Sequence, residues 1–221
     1  MSRPARCAVL LSGRGSNLHA LVEADQAGTL GAEVVLVLSD VEAAPGLEWA
    51  RARGIPARWL PAGPGPARLG GEAAAAYVAA LRQAAVDIVV LAGFLRIVAP
   101  EFLEAFPDRV VNIHPSLLPA FPGLHAQTQA WRYGVRVAGC TAHLVDAGID
   151  TGPILLQEAV PVLPDDSAET LAARILAAEH RVLPAAVRAV ALGRIVREGR
   201  RVRWLPETEP SSTSTQEDTW S

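Results

Sequence analysis

Cysteine is scarce in this sequence, which argues against a disulfide-stabilised protein and against a zinc protein. The 221 residues include two cysteines, Cys7 and Cys140, which lie far apart and form no Cys-x-x-Cys or Cys/His spacing. Such a pair favours buried, reduced thiols over a disulfide framework or a zinc site. The His, Cys, Asp and Glu residues show no metal-ligand spacing either, so we predict a protein without a metal.

Long apolar runs and basic stripes are also missing. No segment approaches the roughly 18 consecutive apolar residues of a membrane helix, and residues 1–6 lead into a strand-like segment too short for a signal sequence. The formal net charge is −3, and no dense Lys/Arg stripe occurs, which argues against a nucleic-acid surface. We therefore expect a cytoplasmic protein with small-molecule substrates and neither membrane nor nucleic-acid partners. The sequence leaves monomer and homodimer both open.

Strand-like and helix-like segments alternate along most of the chain, which is typical of a parallel sheet with helices on both faces. Inner strands are predicted at residues 7–11, 34–38, 87–91 and 109–113, and helices at residues 18–27, 46–52 and 72–84. Two later strands, at 137–145 and 154–162, have no crossover helix between them, so we predict antiparallel pairing there. A long helix follows over residues 167–192, with Asp166 or Ser167 as its N-cap. The predicted fold is α/β, a mostly parallel open sheet with antiparallel strands in its C-terminal part.

The domain boundary is predicted near residue 205. Half of the residues are hydrophobic, enough to fill the core of one large domain over residues 1–205. Residues 206–221 carry a Ser/Thr run and acidic residues without a core-forming pattern, so we predict a disordered tail. The proline- and glycine-rich residues 61–66 are predicted to form an exposed loop.

A glycine-rich turn joins the first strand to the first helix. The backbone N–H groups of Gly15, Ser16 and Asn17 would lie at the N-terminus of that helix, where a phosphate can bind. The spacing is neither that of a Walker loop nor a complete GxGxxG motif. A tight turn capped by Ser16 or Asn17 is therefore the alternative.

The run from Asn112 to Pro119 carries the clearest chemical signal. Asn112 and His114 stand at the end of a predicted inner strand, and ligands of open α/β sheets collect at the carboxyl ends of the strands. Asp150, in a later glycine-rich loop, would favour protonation of His114, so that the imidazolium and the Asn112 amide could both donate to an oxyanion. This set is suited to acyl transfer through a tetrahedral intermediate. A structural histidine and a turn-capping carboxylate are the alternatives.

Covalent catalysis is disfavoured. Ser116 lacks the G-x-S-x-G elbow, and Cys140 lies in an apolar strand-like run. Among the other histidines, His143 could face the same cleft or pack within the sheet. His19 is predicted on a helix surface, and the positions of His125 and His180 stay open.

Four segments together resemble the folate-dependent formyltransferases. They are Gly13-x-Gly15-Ser16-Asn17, the run from Leu91 to Ile97, the run from Asn112 to Pro119, and Asp150-x-Gly152-Pro153, in this order within residues 6–205. The resemblance implies a Rossmann-like formyltransferase domain. It also implies transfer of a formyl group from the co-substrate 10-formyltetrahydrofolate to the free amine of glycinamide ribonucleotide in purine biosynthesis.

The resemblance also implies roles for individual residues. The catalytic residues would be Asn112, His114 and Asp150, and the ribonucleotide and its phosphate would be bound by Gly15, Ser16, Asn17 and Glu179. The folate would be bound by Leu95, Arg96, Ile97, Val98, Asn112, His143 and Asp146. The family often has an arginine shortly before the tyrosine matched here by Tyr77, whereas this chain has Ala73 to Ala76. Arg68 is the residue that could replace it.

Three alternative functions are weighed against this one. A formyltetrahydrofolate hydrolase would use water as acceptor, but such enzymes usually carry an extra N-terminal domain. A methionyl-tRNA formyltransferase would need a further C-terminal domain and a basic surface. A non-catalytic nucleotide-binding module would explain the glycine turn but not the coexistence of Asn112, His114 and Asp150.

Overall fold

The computed structural model describes residues 3–63 and 68–206. Its helices and strands are, in chain order, β1 (Ala5–Leu11), α1 (Ser16–Gln26), β2 (Ala32–Ser39), α2 (Pro45–Arg51), β3 (Ala57–Trp59), β4 (Arg68–Leu69), α3 (Gly71–Gln83), β5 (Ile88–Leu91), β6 (Ile97–Val98), α4 (Pro100–Ala105), β7 (Val110–His114), α5 (Ala126–Tyr133), β8 (Val137–Leu144), β9 (Ile154–Pro161), α6 (Ala168–Ala191), β10 (Ile195–Glu198) and β11 (Arg201–Trp204).

Seven strands form one sheet in the order β3-β2-β1-β5-β7-β8-β9. The pairings from β3 across to β7 are parallel, and β8 and β9 add antiparallel pairings at the other edge. This confirms the predicted mostly parallel sheet with antiparallel strands in the C-terminal part. From β1 the chain moves to β2 on one side, and from β5 it moves to β7 on the other. The connections therefore diverge between β1 and β5, and a crevice opens at such a switch point.

The sheet is covered on both faces because successive side chains of its strands point to opposite sides. In β1, Cys7, Val9 and Leu11 belong to the core shared with α1 and α6. Ala8 and Leu10 belong to a second core, shared with α3 and α4. Both cysteines of the chain are free and buried, as predicted.

The long C-terminal helix begins as the sequence predicts. Ser167 is the N-cap of α6, and its hydroxyl accepts a hydrogen bond from the Thr170 N–H at 3.2 Å. Asp166, the alternative cap, instead binds the Arg174 guanidinium through both carboxylate oxygens at 2.6 and 2.9 Å. The helix continues past Pro184 to Ala191.

Several short elements were not predicted, because a strand of two or three residues or a helix of one or two turns shows no periodicity in the sequence. They are β3, β4, β6, α4, α5 and the hairpin of β10 and β11. Ala62, within the loop predicted to be exposed, is buried in the second core. The centre of that loop, residues 64–67, and residues 207–221 of the predicted tail lie outside the described residues. In the described part of the chain, no helix is both long and apolar enough to cross a membrane.

Gly139 in the middle of β8 tests how tightly the antiparallel edge is packed. A Cβ at this position would overlap the Glu158 carbonyl oxygen of β9 and lie 2.8 Å from the Leu117 side chain. We expect Gly139→Ala to lower the free energy of unfolding by about 2–4 kcal/mol, since neither backbone nor packed loop can retreat. Urea unfolding measures the loss. Gly13→Ala, where a Cβ would meet nothing within 4 Å, is the control, and equal stability of the two variants would contradict the packing argument.

Candidate active site

A cavity of about 640 Å³ opens at the switch point, beyond the carboxyl ends of β1, β5 and β7. It brings together most of the side chains for which the sequence predicts a role: Asn17, Leu95, Arg96, Ile97, Val98, Asn112, His114, His143, Asp146, Asp150 and Glu179. Gly15 and Ser16 do not line it but form the start of α1 beside it. A second cleft, of about 750 Å³, lies around Arg3 and Arg109, and none of the predicted site residues line it.

The strand β7 presents the amide and the imidazole together. Asn112 and His114 are separated by one residue, so both side chains leave the same face of the strand. Asp150, which has a φ of +52°, approaches from the loop after β8. Its carboxylate lies 3.3 Å from His114 Nδ1 and 3.4 Å from Asn112 Nδ2. Three side chains distant in sequence therefore meet as predicted.

His114 is bonded at both ring nitrogens. Its Nδ1 faces Asp150, and its Nε2 lies 2.8 Å from the carbonyl oxygen of Phe121. Both neighbours are hydrogen-bond acceptors, so only the protonated ring can donate to the two of them at once. The side chain is also buried, with 5% of the residue exposed. The His114 ring is therefore held between the Asp150 carboxylate and the Phe121 carbonyl.

The Asp150 carboxylate stays ionised in spite of its burial. Desolvation alone would raise its pKa, but the nearby His143 ring, the Gly123 N–H at 2.8 Å and the charge of His114 outweigh this effect. The pKa of Asp150 therefore lies below the ordinary value for an aspartate. A fixed negative charge is available to hold His114.

His143 both packs in the sheet and reaches the site, which answers the question that the sequence left open. It is paired with Asn112 across β7 and β8 and is 2% exposed. Its Nδ1 lies 2.9 Å from the Leu144 carbonyl oxygen and so carries a proton. Its Nε2 lies 3.1 Å from Asn112 Nδ2 and 3.7 Å from Asp150 Oδ1. His143 thereby fixes the orientation of the Asn112 amide.

The turn before α1 differs from the predicted alternative. Gly15 is the N-cap, with a φ of +78° and no side-chain cap, so the prediction of a cap by Ser16 or Asn17 is wrong. Glycine is needed here because of the positive φ and because a Cβ would lie 3.2 Å from the Gly46 Cα. Without a cap, the first N–H groups of the helix remain available to an anion.

Asn17 turns away from the cap position and binds Glu179 of α6. Its Nδ2 donates to Glu179 Oε2 at 2.7 Å, and both residues are more than 90% buried. The Asn17 Oδ1 atom is buried without a hydrogen-bond partner among the described residues. Burial raises the pKa of Glu179 above its ordinary value, and the bond from Asn17 opposes this only in part. One acceptor at this end of the cavity, Asn17 Oδ1, therefore lacks a donor among the described residues.

The opposite wall is formed by the loop after β5. Leu95, at 62% exposed, Arg96, Ile97 and Val98 line the cavity there. Asp146 also lines it, but one of its carboxylate oxygens accepts hydrogen bonds from the Gly148 N–H at 3.1 Å and the Thr151 hydroxyl at 2.6 Å, within its own loop.

Arg68 lies beside this wall, because β4 pairs in parallel with β6 and places Arg68 opposite Ile97. Tyr77 is buried, and its hydroxyl donates to the Leu60 carbonyl oxygen at 2.6 Å. Ala73 to Ala76 occupy the first turns of α3. Arg68 therefore lies next to the wall after β5, and its replacement of the missing arginine stays a prediction.

The remaining nucleophiles and histidines are accounted for by packing. Ser116 is buried and donates to the Ala120 carbonyl oxygen at 2.5 Å, and burial raises the pKa of the Cys140 thiol to about 12. His19 is not on an open helix surface as predicted, because its ring stacks on Trp49 with a centroid distance of 3.9 Å. His125 lines the cavity, and His180 is partly buried.

Two features of the site were missed by sequence reasoning. The Phe121 carbonyl and the Gly123 N–H contact the catalytic candidates through backbone atoms, which leave no mark in residue types. Asp40 and Ser12, which support the wall after β5, belong to no motif. In residues 3–63 and 68–206, no group of three or more His, Cys, Asp or Glu residues could hold a metal ion.

Glu179 offers a test of this electrostatic description. Since its pKa is raised in the folded state, it favours folding below the ordinary pKa of a glutamate, about 4.3, and this contribution is lost as the pH rises through the folded value. Glu179→Gln keeps an acceptor for Asn17 and should raise the free energy of unfolding by about 1–2 kcal/mol at pH 8. Urea unfolding from pH 4 to 8 should show the gain shrinking toward low pH. Glu104→Gln, at an exposed position, is the control, and a gain independent of pH would count against the burial penalty.

Most of this chain is similar in sequence to known proteins. Residues 5–187 match the family model described as formyl transferase. The phosphoribosylglycinamide formyltransferase of Mycobacterium tuberculosis is 45% identical over 207 residues, which cover 91% of this chain and 94% of that protein. The trifunctional purine biosynthetic protein adenosine-3 of Drosophila pseudoobscura pseudoobscura is 46% identical over 200 residues. These residues cover 89% of this chain but only 14% of that longer protein.

Solved structures show the same relationship. Glycinamide ribonucleotide transformylase 1 of Symbiobacterium toebii superposes with a TM-score of 0.87 at 51% identity, covering 91% of this chain and 94% of that one. A formyltetrahydrofolate deformylase of Pseudomonas syringae gives a TM-score of 0.85 at 26% identity, covering 93% of this chain but 67% of that one. Because the family model spans most of the chain and a relative of similar length is 45% identical, the chain belongs to the formyl transferase family.

Proposed function

We propose that this protein transfers the formyl group of 10-formyltetrahydrofolate to the free amine of glycinamide ribonucleotide, a step of purine biosynthesis. The observation that carries the proposal is the meeting of Asn112, His114 and Asp150 in a cavity with a helix N-terminus at one end and the wall after β5 at the other. The relatives named for this activity, of matching length, support it.

In this mechanism the amine nitrogen attacks the formyl carbon, a C–N bond forms, and the carbonyl π electrons move to the oxygen. His114 stabilises that oxyanion through its Nε2 proton, which leaves the Phe121 carbonyl for the more strongly accepting oxygen. Its Nδ1 stays on Asp150, which keeps the ring charged and oriented. Collapse of the intermediate breaks the bond to the folate nitrogen, which takes up the proton that the attacking amine nitrogen loses.

Asn112 supplies the second donor. Its bond to Asp150 is 3.4 Å long, beyond the usual range for an N–H···O bond, whereas its contact with His143 is 3.1 Å. The hydrogen directed at Asp150 is therefore the one that turns to the oxyanion, while His143 holds the amide in place. Much of the rate enhancement comes from the alignment of the amine and the formyl carbon between these donors.

The two ends of the cavity accept the two substrates. The phosphate binds at the uncapped start of α1, on the backbone N–H groups of Gly15, Ser16 and Asn17. The acceptor oxygens of Asn17 and Glu179 take ribonucleotide hydroxyl or amide donors. The folate lies along Leu95 to Val98, near His143 and the loop of Asp146, and Arg68 offers a cation to its carboxylates.

Formyltetrahydrofolate hydrolysis is the second candidate, since a deformylase shares the fold over 93% of this chain. Mass spectrometry of reactions with 10-formyltetrahydrofolate, with and without glycinamide ribonucleotide, separates the two. We expect the formylated ribonucleotide as product and little formate when the ribonucleotide is absent. Formate release at the same rate without it would establish the hydrolase, and no turnover of folate would favour a non-catalytic binding module.

His114 should dominate the chemical step. We expect His114→Ala to lower kcat by about 10³-fold, because the imidazole Nε2–H group that donates to the oxyanion is lost. The KM values of both substrates should change less than about threefold, since the ring serves the transition state. Steady-state kinetics measure both quantities. Exposed His125→Ala, at the mouth of the same cavity, is the control, and near-normal kcat in His114→Ala would remove His114 from the mechanism.

A further inference from the structure

A hydrogen-bonded group of side chains, which we call the bracket, lies behind the wall after β5. It consists of Ser12, Asp40 and Arg96, of which Ser12 and Asp40 have no role assigned above. Asp40 follows directly after β2, and its side chain is 3% exposed. Its Oδ1 accepts a hydrogen bond from the Ser12 hydroxyl at 2.6 Å, and its Oδ2 accepts one from Arg96 Nε at 2.7 Å. Both carboxylate oxygens are thus held by groups from two other segments.

Ser12 extends the bracket to the backbone of the same wall. Its N–H donates to the Gly93 carbonyl oxygen at 2.9 Å, and its hydroxyl oxygen accepts from the Leu95 N–H at 2.9 Å. Together with the Asp40 to Arg96 bond, the loop of residues 93–96 is attached at three points to the ends of β1 and β2. This loop lies between the end of β5 and the two-residue strand β6, and the Phe94 ring within it packs against Tyr77 of α3.

Ser12 and Asp40 can influence the cavity only through the residues that line it. Ser12 and Asp40 do not line the cavity, whereas Gly93, Leu95 and Arg96 do. A buried carboxylate is strongly destabilised when a charged partner is removed, so Asp40 and Arg96 restrict each other to one arrangement. Ser12 also immediately precedes Gly13 to Asn17, the turn assigned above to the phosphate. One serine therefore joins the turn at one end of the cavity to the wall at the other.

We propose that Asp40 and Ser12 are positioning residues for the folate co-substrate. They hold the loop of residues 93–96, from which the wall after β5 continues, in the conformation that binds the folate. This proposal rests on the proposed function, because it takes that wall as the folate side of the cavity. The hydrogen bonds of the bracket reach this wall at three positions and reach no atom of the Asn17 to Glu179 pair. Loss of the bracket should therefore weaken folate binding selectively.

Substitution of Asp40 by alanine and by asparagine should affect its hydrogen bonds differently. Asp40→Ala removes both acceptors and leaves Arg96 Nε and the Ser12 hydroxyl without this partner. Asp40→Asn can keep both bonds: its oxygen accepts from Arg96 Nε, and its NH₂ group donates to the Ser12 oxygen, which has two lone pairs and accepts one bond from Leu95. Rescue by asparagine would show that hydrogen-bonded geometry, rather than negative charge, is what the wall requires.

Steady-state kinetics with both substrates varied test the proposal. We expect Asp40→Ala to raise the KM for 10-formyltetrahydrofolate about tenfold, with the KM for glycinamide ribonucleotide changed less than about twofold. Asp40→Asn should stay within about threefold of the wild type for both substrates. Asp87→Ala is the control, because Asp87 also pairs with an arginine, Arg3, at 2.7 and 3.0 Å, at a more exposed position away from this cavity.

Ser12→Ala provides a second, independent variant if Asp40→Ala does not fold, as judged by circular dichroism. It removes the acceptor of the Leu95 N–H but leaves the Asp40 to Arg96 bond, and it should also raise the folate KM selectively, with Ser12→Thr restoring it. Equal increases in both KM values, or no increase in either variant, would overturn the proposal.

The proposed function and the positioning role can fail separately. Formyl transfer by the wild type with unchanged kinetics in Asp40→Ala and Ser12→Ala would reject the positioning role alone. If the wild type shows no transfer, equilibrium binding of tetrahydrofolate under anaerobic conditions replaces the KM measurement. Weaker binding by Asp40→Ala than by Asp40→Asn would then support the role, and equal binding would reject it.

Discussion

The divergence of the chain after β1 and β5 is the constraint on which the rest of the structure depends. Parallel strands end at the same edge of the sheet, and where their connections leave in opposite directions no helix covers that edge. The turn before α1, the wall after β5 and the end of β7 are left facing one crevice. The loop of residues 93–96 borders this crevice, and Ser12 and Asp40 support it through hydrogen bonds to Leu95 and Arg96.

Three carboxylates, two lining the cavity and one behind its wall, have surroundings of different character. Asp40 is neutralised by the Arg96 guanidinium and serves the wall. Asp150 faces two imidazoles and a backbone N–H, which lower its pKa and keep it charged beside His114. Glu179 accepts a hydrogen bond from the neutral Asn17 amide, which offsets only part of the effect of burial, so its pKa is raised. The type of donor near each carboxylate therefore matches the proposed chemistry: structural support, charge stabilisation, and recognition of a ligand that brings its own donors.

Much of the fold was predictable because its long elements are strongly periodic. The inner strands, α1, α3 and α6 correspond to the predicted segments within a few residues, and the spacing of Asn112 and His114 placed both on one strand face. The cap of α1 was predicted wrongly because Asn17 has a stronger partner in Glu179, which is 162 residues away. His19 was likewise placed on a surface because its stacking partner Trp49 lies on another helix. Such long-range competitors leave no local signal.

By itself, the sequence determined the α/β class and the residue types at the strand ends. Its motifs also indicated the formyl transferase family. These features depend on local periodicity and on short spacings along the chain. Only the tertiary structure decided which nitrogen of His114 faces Asp150, that the His143 ring contacts the Asn112 amide, and that Asp40 and Ser12 hold the wall after β5. These contacts depend on backbone carbonyls, N–H groups and side chains from distant segments. Their distances are set by how the strands pack, and no spacing along the chain encodes them.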